Sequence, residues 1–547
     1  MIKGLGRGGS RRGSGVPNHF SMVPVADIER SSFNRSHGIK TAFDSGYLVP
    51  IFADEVLPGD TFNMRHTLFA RLSTPVKPIL DNLYLETFYF YVPLRLLWTN
   101  FKKFMGEQAN PADSISYLCP TIQSPASGSA VGSLSDYLGM PTVGQVTAGK
   151  KLTCVSFWHR AYNLIWNEWF RDENLQNSVT VDTGDGPDTD ANYVLLRRGK
   201  RHDYFTSALP WTQKNAAGAV TIPLGTTAPV QGTAGMKLYD WTVGAGASVD
   251  TLKYNTGPSR LNISTGTSWA DTNDAGLPPV GTASNVYADL STVSAATINS
   301  LRQAFQLQRM YERDARGGSR YTEIVRSHFR VVSPDARLQR PEYLGGGSSP
   351  ISVTPIPQTA ATGVTGTAQG NLAAVGVGVQ SGVGFNKSFT EHGVLIGLAN
   401  VRADLNYQQG VNRMFSRSTR ADFFWPALAH LGEQSILNKE IYAVDDSAAQ
   451  DSNVFGYQER YAEYRYKPSL ITGKLRSTAS GTLDIWHLAQ KFTSLPTLGS
   501  TFIVDTPPID RIQAVNTEPQ IYLDGAFKLI CARPMPVYSV PGLIDHF

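Results

Sequence analysis

The segment Leu83 to Val92, LYLETFYFYV, is apolar on both faces and closed by Pro93. β-Formers packed this densely predict a strand covered on both sides. Just before it, Phe62, Met64, His66 and Leu68 alternate with other residues between Thr61 and Phe69, the period of a strand with one wet face. Further strand-like runs lie at Tyr321 to Val332, Val394 to Leu405, Leu483 to His487 and Ala526 to Ala532. Strands therefore gather towards the two ends of the chain, with other material inserted between them. That layout fits a mainly β protein built on an eight-stranded antiparallel jelly roll with long inserted loops and a few helices.

The inserted material has its own signals. Ser156 to Leu175 predicts a helix with Ser156 as N-cap and Phe157, Ala161, Ile165 and Trp169 on one face. A second helix is expected from about Ser294 to Asp314, with Ile298, Leu301 and Phe305 inward and Gly317-Gly318 ending it. Between them, Asn215 to Leu290 is rich in Thr, Gly, Ala and Asp but keeps scattered β-formers, Trp241 and Trp269. It reads as an inserted, folded outer lobe of short strands. Pro17 to Pro50 reads as extended but irregular, Asn110 to Gly149 as turns, and Gly345 to Gly384 as a long loop. The expected division is a flexible basic arm at 1–20, a first part of the core with its inserted helix at 21–214, the lobe at 215–290, and the rest of the core at 291–547 with a long loop at 345–384.

Charged residues are 17% of the 547, against a usual share of about 25%. A low charge density suits surfaces that are hidden against copies of the same chain. Cys119, Cys154 and Cys531 lie far apart and form no disulfide framework or CxxC motif, which fits folding in a reducing compartment. Met1 to Gly15 holds no apolar stretch of the signal-peptide kind, and no run is long enough to span a bilayer, so no membrane insertion is expected. The net charge of +4 is mild, but Lys3, Arg7, Arg11 and Arg12 sit in a Gly/Ser-rich leader with no acidic residue before Asp27. Such an arm is either a tether to nucleic-acid phosphate, acting through counterion release, or a solvated tail.

Enzyme motifs appear only in outline. Gly4, Gly6 and Gly9 match the dinucleotide fingerprint but lack the strand that would aim them. Gly144 to Lys151 (GQVTAGKK) puts Lys151 where a phosphate-binding loop needs a hydroxyl, and reads as a charged turn. Asp182-Thr183-Gly184 has no second Asp-Thr-Gly to form a protease pair, and Tyr193 stands where a calcium loop begun at Asp182 needs Glu. Asp182, Asp185, Asp188 and Asp190 are left as a solvated acidic turn or a weak cation site. No histidine pair at metal-binding spacing and no GxSxG elbow occurs. No catalytic residue, metal site or cofactor is assigned.

Long blocks carry a resemblance. They are PNHFSMVPVADIERSSFNRSHGIKTAFDSGYLVPIFADEVLPGDTF (Pro17 to Phe62), LETFYFYVPLRLLW (Leu85 to Trp98), RAYNLIWNEWFRDENLQ (Arg160 to Gln176), DARGGSRYTEI (Asp314 to Ile324), SPDARLQRPEYLGG (Ser333 to Gly346) and FGYQERYAEYRYKPS (Phe455 to Ser469). In these the sequence resembles the major capsid proteins of gokushoviruses, within the Microviridae. The resemblance implies a viral jelly roll lying tangential to the smallest kind of icosahedral shell, self-assembled around circular single-stranded DNA. It also implies an inserted lobe clustered at threefold axes, best placed at Asn215 to Leu290 and used in host attachment. The implied partners are the chain itself, viral single-stranded DNA, other virion proteins and a bacterial surface receptor. The implied location is the virion, assembled in the host cytoplasm.

Within the last block, Tyr457, Tyr461, Tyr464 and Tyr466 interleave with Arg460 and Arg465. Tyr and Arg dominate interface hot spots, so these residues are candidates for a subunit contact. Stacking on nucleobases and a half-buried edge strand are the other readings. A β-rich carbohydrate- or receptor-binding phage protein, using exposed Trp241 and Trp269, is the competing functional class.

Overall fold

The computed structural model describes residues 29–212, 298–363, 366–445 and 449–538, with the backbone of five short strands between 230 and 288. Nine strands form one antiparallel sheet: β1 (Ser31–Asn34), β2 (His37–Phe43), β3 (Val49–Val56), β4 (Thr61–Leu72), β5 (Leu83–Pro93), β6 (Glu342–Pro357), β7 (Leu372–Ser388), β8 (Gly393–Ala403) and β9 (Ile521–Arg533). The order is β1-β9-β4-β7-β6-β5-β8-β3, with β2 also paired to β9. Apart from the short β1, these strands make two halves, β2-β9-β4-β7 and β3-β8-β5-β6. The long β6 joins them by pairing first with β5 and then, from Ser352, with β7. Side chains from both halves meet inside, where the rings of Phe52 on β3 and Phe527 on β9 lie 5.4 Å apart. Burial of a ring such as Phe527 contributes roughly 2 to 3 kcal/mol. This is a jelly roll.

The two halves differ in what covers them. β5 and β8 are buried along almost their whole length, because a second apolar cluster packs on their outer side. In that cluster Phe157, Ala161 and Ile165 join Val394, Ile396 and Leu398. The polar residues within β5 are matched rather than exposed. Thr87 donates to Gln380 at 2.8 Å, and Glu86 meets Arg402 at 2.9 Å together with Arg198 and Arg201. Burial pushes the Glu86 carboxyl up, but the arginines outweigh it and hold it below the usual range. β4 and β9, by contrast, bury alternate residues and leave their other face open.

Several expectations need correction. The stretch 345–384 contains most of β6 and β7, joined through 358–371, and is not a long loop. Its Gly/Val alternation is a strand period disguised by composition. The glycines are needed for close approach: a Cβ on Gly376 would lie 2.7 Å from that of Leu72, and one on Gly378 would lie 2.9 Å from Ile351 Cγ1. Tyr321 to Val332 is a helix, Tyr321–Phe329, because Tyr321, Ile324, Val325 and His328 recur at helical spacing. It starts with the Arg320 N–H donating to Glu323 and ends at Arg330 in the left-handed region. Leu483 to His487 holds a 3-10 turn, Asp484–Trp486, diverted from a ladder when the Asp484 N–H donates to Thr482 Oγ1 at 3.2 Å.

The first expected helix is α-helical over Phe157–Ile165 and continues as a π-helical turn through Trp166–Phe170. Ser156 does not cap it; its hydroxyl donates to the Pro120 carbonyl. The second spans Ile298–Gly317, but Ile298 and Phe305 are 72% and 64% exposed and Leu301 is exposed too. Among the described residues, no core covers its apolar stripe. Residues 31–50, within the stretch expected to be irregular, supply β1, β2 and the start of β3. The segment Gln213–Arg316 forms a compact unit of its own with short strands, among them Thr251–Asn255, Arg260–Thr265 and Ser268–Asp271 in one small sheet.

Candidate assembly surface

The insertion between β8 and β9, residues 404–520, builds the most aromatic exposed surface described. Its frame is a two-stranded ladder, Glu433–Leu437 against Val454–Glu459. Tyr457 lies half-buried in that ladder and exchanges backbone hydrogen bonds with Leu209. The chain then turns at Tyr461, whose φ of 61° is left-handed and disfavoured for a bulky side chain. The turn is held from two sides. The Tyr461 N–H donates to Gln434 at 3.0 Å, and its hydroxyl donates to the Ala421 carbonyl at 3.2 Å.

That second bond ties the Tyr/Arg block to the segment 413–428. There the Asp422 carboxylate accepts from the Ser418 and Thr419 N–H groups at 3.0 and 2.7 Å and from the Thr419 hydroxyl. These donors favour its charged form and bring its pKa down to about 2. The fixed turn pushes Phe423, Phe424 and Trp425 outward just before Pro426. Phe424 packs edge-on to Tyr461 with ring centres 5.2 Å apart, and Arg417 lies 4.3 Å over Tyr464. Arg420 covers Trp425 and Arg460 covers Tyr461.

Of the six residues singled out in sequence, Tyr464 and Tyr466 are half exposed and available to a partner. Tyr461 is buried and serves as the anchor of the patch, not as a contact surface. Arg460 donates to Ala421 O, and Arg465 pairs with Glu459. The sequence reading missed Phe415, 75% exposed, and Phe423 and Phe424. Three consecutive aromatics closed by a proline, in a stretch with neither strand nor helix period, were the available signal. An exposed cluster of rings with arginines laid on them has the composition of an interface hot spot.

The other sequence candidates fall elsewhere. Lys3, Arg7, Arg11 and Arg12 lie outside the described residues. The acidic turn is exposed over 183–187 but is not uniformly solvated. The Asp188 side chain is fully buried against Arg160, and Asp185 accepts from Trp98 Nε1 at 2.7 Å and from Asn100. Among the described residues no group of His, Cys, Asp or Glu could hold a metal ion, and no helix is long and apolar enough to cross a membrane. Cys119, Cys154 and Cys531 are free thiols.

Residues 21–543 match the family described as capsid protein (F protein). The chain belongs to this family of phage coat proteins. It is similar to capsid protein VP1 of Bdellovibrio phage phiMH2K, 47% identical over 96% of this chain and 98% of that protein. Capsid protein VP1 of Chlamydia phage 1 is 45% identical over 98% and 99% of the two chains, and that of Spiroplasma virus 4 is 36% identical over 96% and 97%. These matches span nearly the whole chain. The chain is thus a major capsid protein of the gokushovirus kind, a structural component of the virion and not an enzyme.

Proposed function

We propose that copies of this chain close into a small icosahedral shell around circular single-stranded DNA, assembled in the host cytoplasm. The observation that carries the proposal is the aromatic–arginine surface held out by a rigid jelly roll. Tyr464, Phe423 and Phe424 expose apolar rings that a monomer would leave wet, while Tyr461 and Asp422 lock their backbone. Such a surface gives moderate contacts, and a closed shell multiplies them through valency. The basic leader at Lys3, Arg7, Arg11 and Arg12 is assigned to the packaged DNA. The segment 215–290 is assigned to host attachment, where an insertion can vary without disturbing the sheet.

Sedimentation of the recombinant full chain at near-physiological salt, followed by negative-stain electron microscopy, tests the shell. Uniform closed particles are expected. Small oligomers alone, even with single-stranded DNA and the accompanying virion proteins added, would overturn it.

A further inference from the structure

The half-sheet β2-β9-β4-β7 has an open outer face, and the residues on it are unusual for a merely solvated surface. Among the outward positions of these strands, Lys40, Arg65, Arg71 and Lys528 stand against a single carboxylate, Asp524. That carboxylate is occupied by Lys40 at 3.6 Å. Lys528 lies directly opposite Arg65 across the β9–β4 ladder. Like charges in directly opposite positions destabilise a sheet. Among the described residues, Arg65 is offered only the Gly382 carbonyl, and no carboxylate reaches Arg65, Arg71 or Lys528.

Between these cations lie the exposed ring of Tyr522 and the half-buried ring of Phe69. Tyr522 is directly opposite Arg71, and the Arg71 guanidinium lies 4.8 Å over the ring of Phe69. From Arg65 to Arg71 the face runs about 20 Å along the strand. The alternation of β4 and β9 supplies the inner wall of the jelly roll on one side and this platform on the other.

We infer that this open face is a binding surface for single-stranded nucleic acid, with phosphates on Arg65, Arg71, Lys40 and Lys528 and a base stacked on Tyr522. A polyanion relieves the Arg65–Lys528 repulsion, which no group of the described chain does. The exposed Tyr522 ring adds stacking that duplex DNA, with its bases already stacked, cannot use. The inference rests on the coat reading, since it places the genome against this face of the subunit.

The test uses the full-length chain and a fluorescent oligothymidylate. The variant Lys40→Gln, Arg65→Gln, Arg71→Gln, Lys528→Gln should form shells as the parent does and bind the oligomer at least tenfold more weakly. Its plot of log affinity against log salt should flatten by roughly 2 to 3, the slope expected for four lost phosphate contacts. Tyr522→Ala alone should weaken binding about fivefold or more without moving the salt slope. Unchanged affinity and slope in both variants would overturn the assignment. Equal binding of duplex DNA or polyglutamate by the parent chain would do the same, marking a general anion surface or a contact for an acidic protein. If the parent forms no shells while the variants lose oligomer binding, the coat reading fails and this one stands.

Discussion

The Arg160 guanidinium and the Asp188 carboxylate face each other with no solvent access to either side chain, Nε donating to Oδ2 at 2.7 Å. Arg160 also donates to the carbonyls of Leu97 and Gly184, each at 2.9 Å, so one side chain ties the helical turn Leu94–Leu97 after β5 to the helix Phe157–Ile165 and the turn 182–190. Burial alone would raise the Asp188 pKa, but hydrogen bonds from Arg160 and Tyr193 outweigh it and hold the group charged. Removing one member of a buried pair costs about 3 to 5 kcal/mol, because the other is left uncompensated. Asp188→Asn and Arg160→Leu should each lower subunit stability by that order in chemical denaturation. The double variant should lose less than the sum of the two.

A buried imidazole makes the fold acid-sensitive. Burial brings the His159 pKa down to about 4, from 6.5 when unfolded, so folding favours the neutral ring. Its contribution is complete above pH 6.5 and is lost as pH falls from 6.5 towards 4, by on the order of 3 kcal/mol. The subunit Tm should fall across that window, and His159→Gln should flatten the fall. An unchanged profile in the variant would remove His159 as the cause.

The aromatic patch should govern assembly and not folding. Phe423→Ser and Tyr464→Ala should leave the subunit Tm within about 1 °C while raising the concentration needed for shells. A loss of about 2 kcal/mol per contact corresponds to roughly 30-fold in each contact's equilibrium constant. Light scattering against concentration reads this. Tyr461→Ala should instead destabilise the subunit itself, since that ring is buried.

Deleting Met1 to Gly15 should leave shells but lower their DNA content, read from the ratio of absorbance at 260 and 280 nm. Unchanged DNA content would assign the leader no packaging role.

Replacing 215–290 by a short linker should spare particle assembly and abolish adsorption to host cells. Normal adsorption by such particles would move host attachment to another surface.

The interface candidates show how far residue order can be read. Tyr464 and Tyr466 were legible because Tyr and Arg interleave in one block. Their partners, Phe423 and Phe424, lie about forty residues earlier and join them through tertiary contacts: the Tyr461 hydroxyl and Arg460 on the Ala421 carbonyl, and the Phe424 ring against Tyr461. Tyr461 itself, identical in type to its neighbours, turns inward because the Gln434 and Ala421 bonds fix the turn.

The sequence by itself determined the β character of the core, the two-faced burial of β5 and the one-faced alternation of β4. Those are periodicities of neighbouring residues, and the pleat converts them directly into faces. It also carried membership of the capsid family in blocks spread along the chain. Only the tertiary structure decided that the Gly/Val stretch at 345–384 is two central strands, that Asp188 is an internal counter-ion, and that Arg65 and Lys528 share one open face. Each depends on which distant segment arrives alongside: Leu72 and Ile351 against the glycines, Arg160 against Asp188, β9 against β4. Long-range pairing sets those neighbours, and local residue patterns do not encode it.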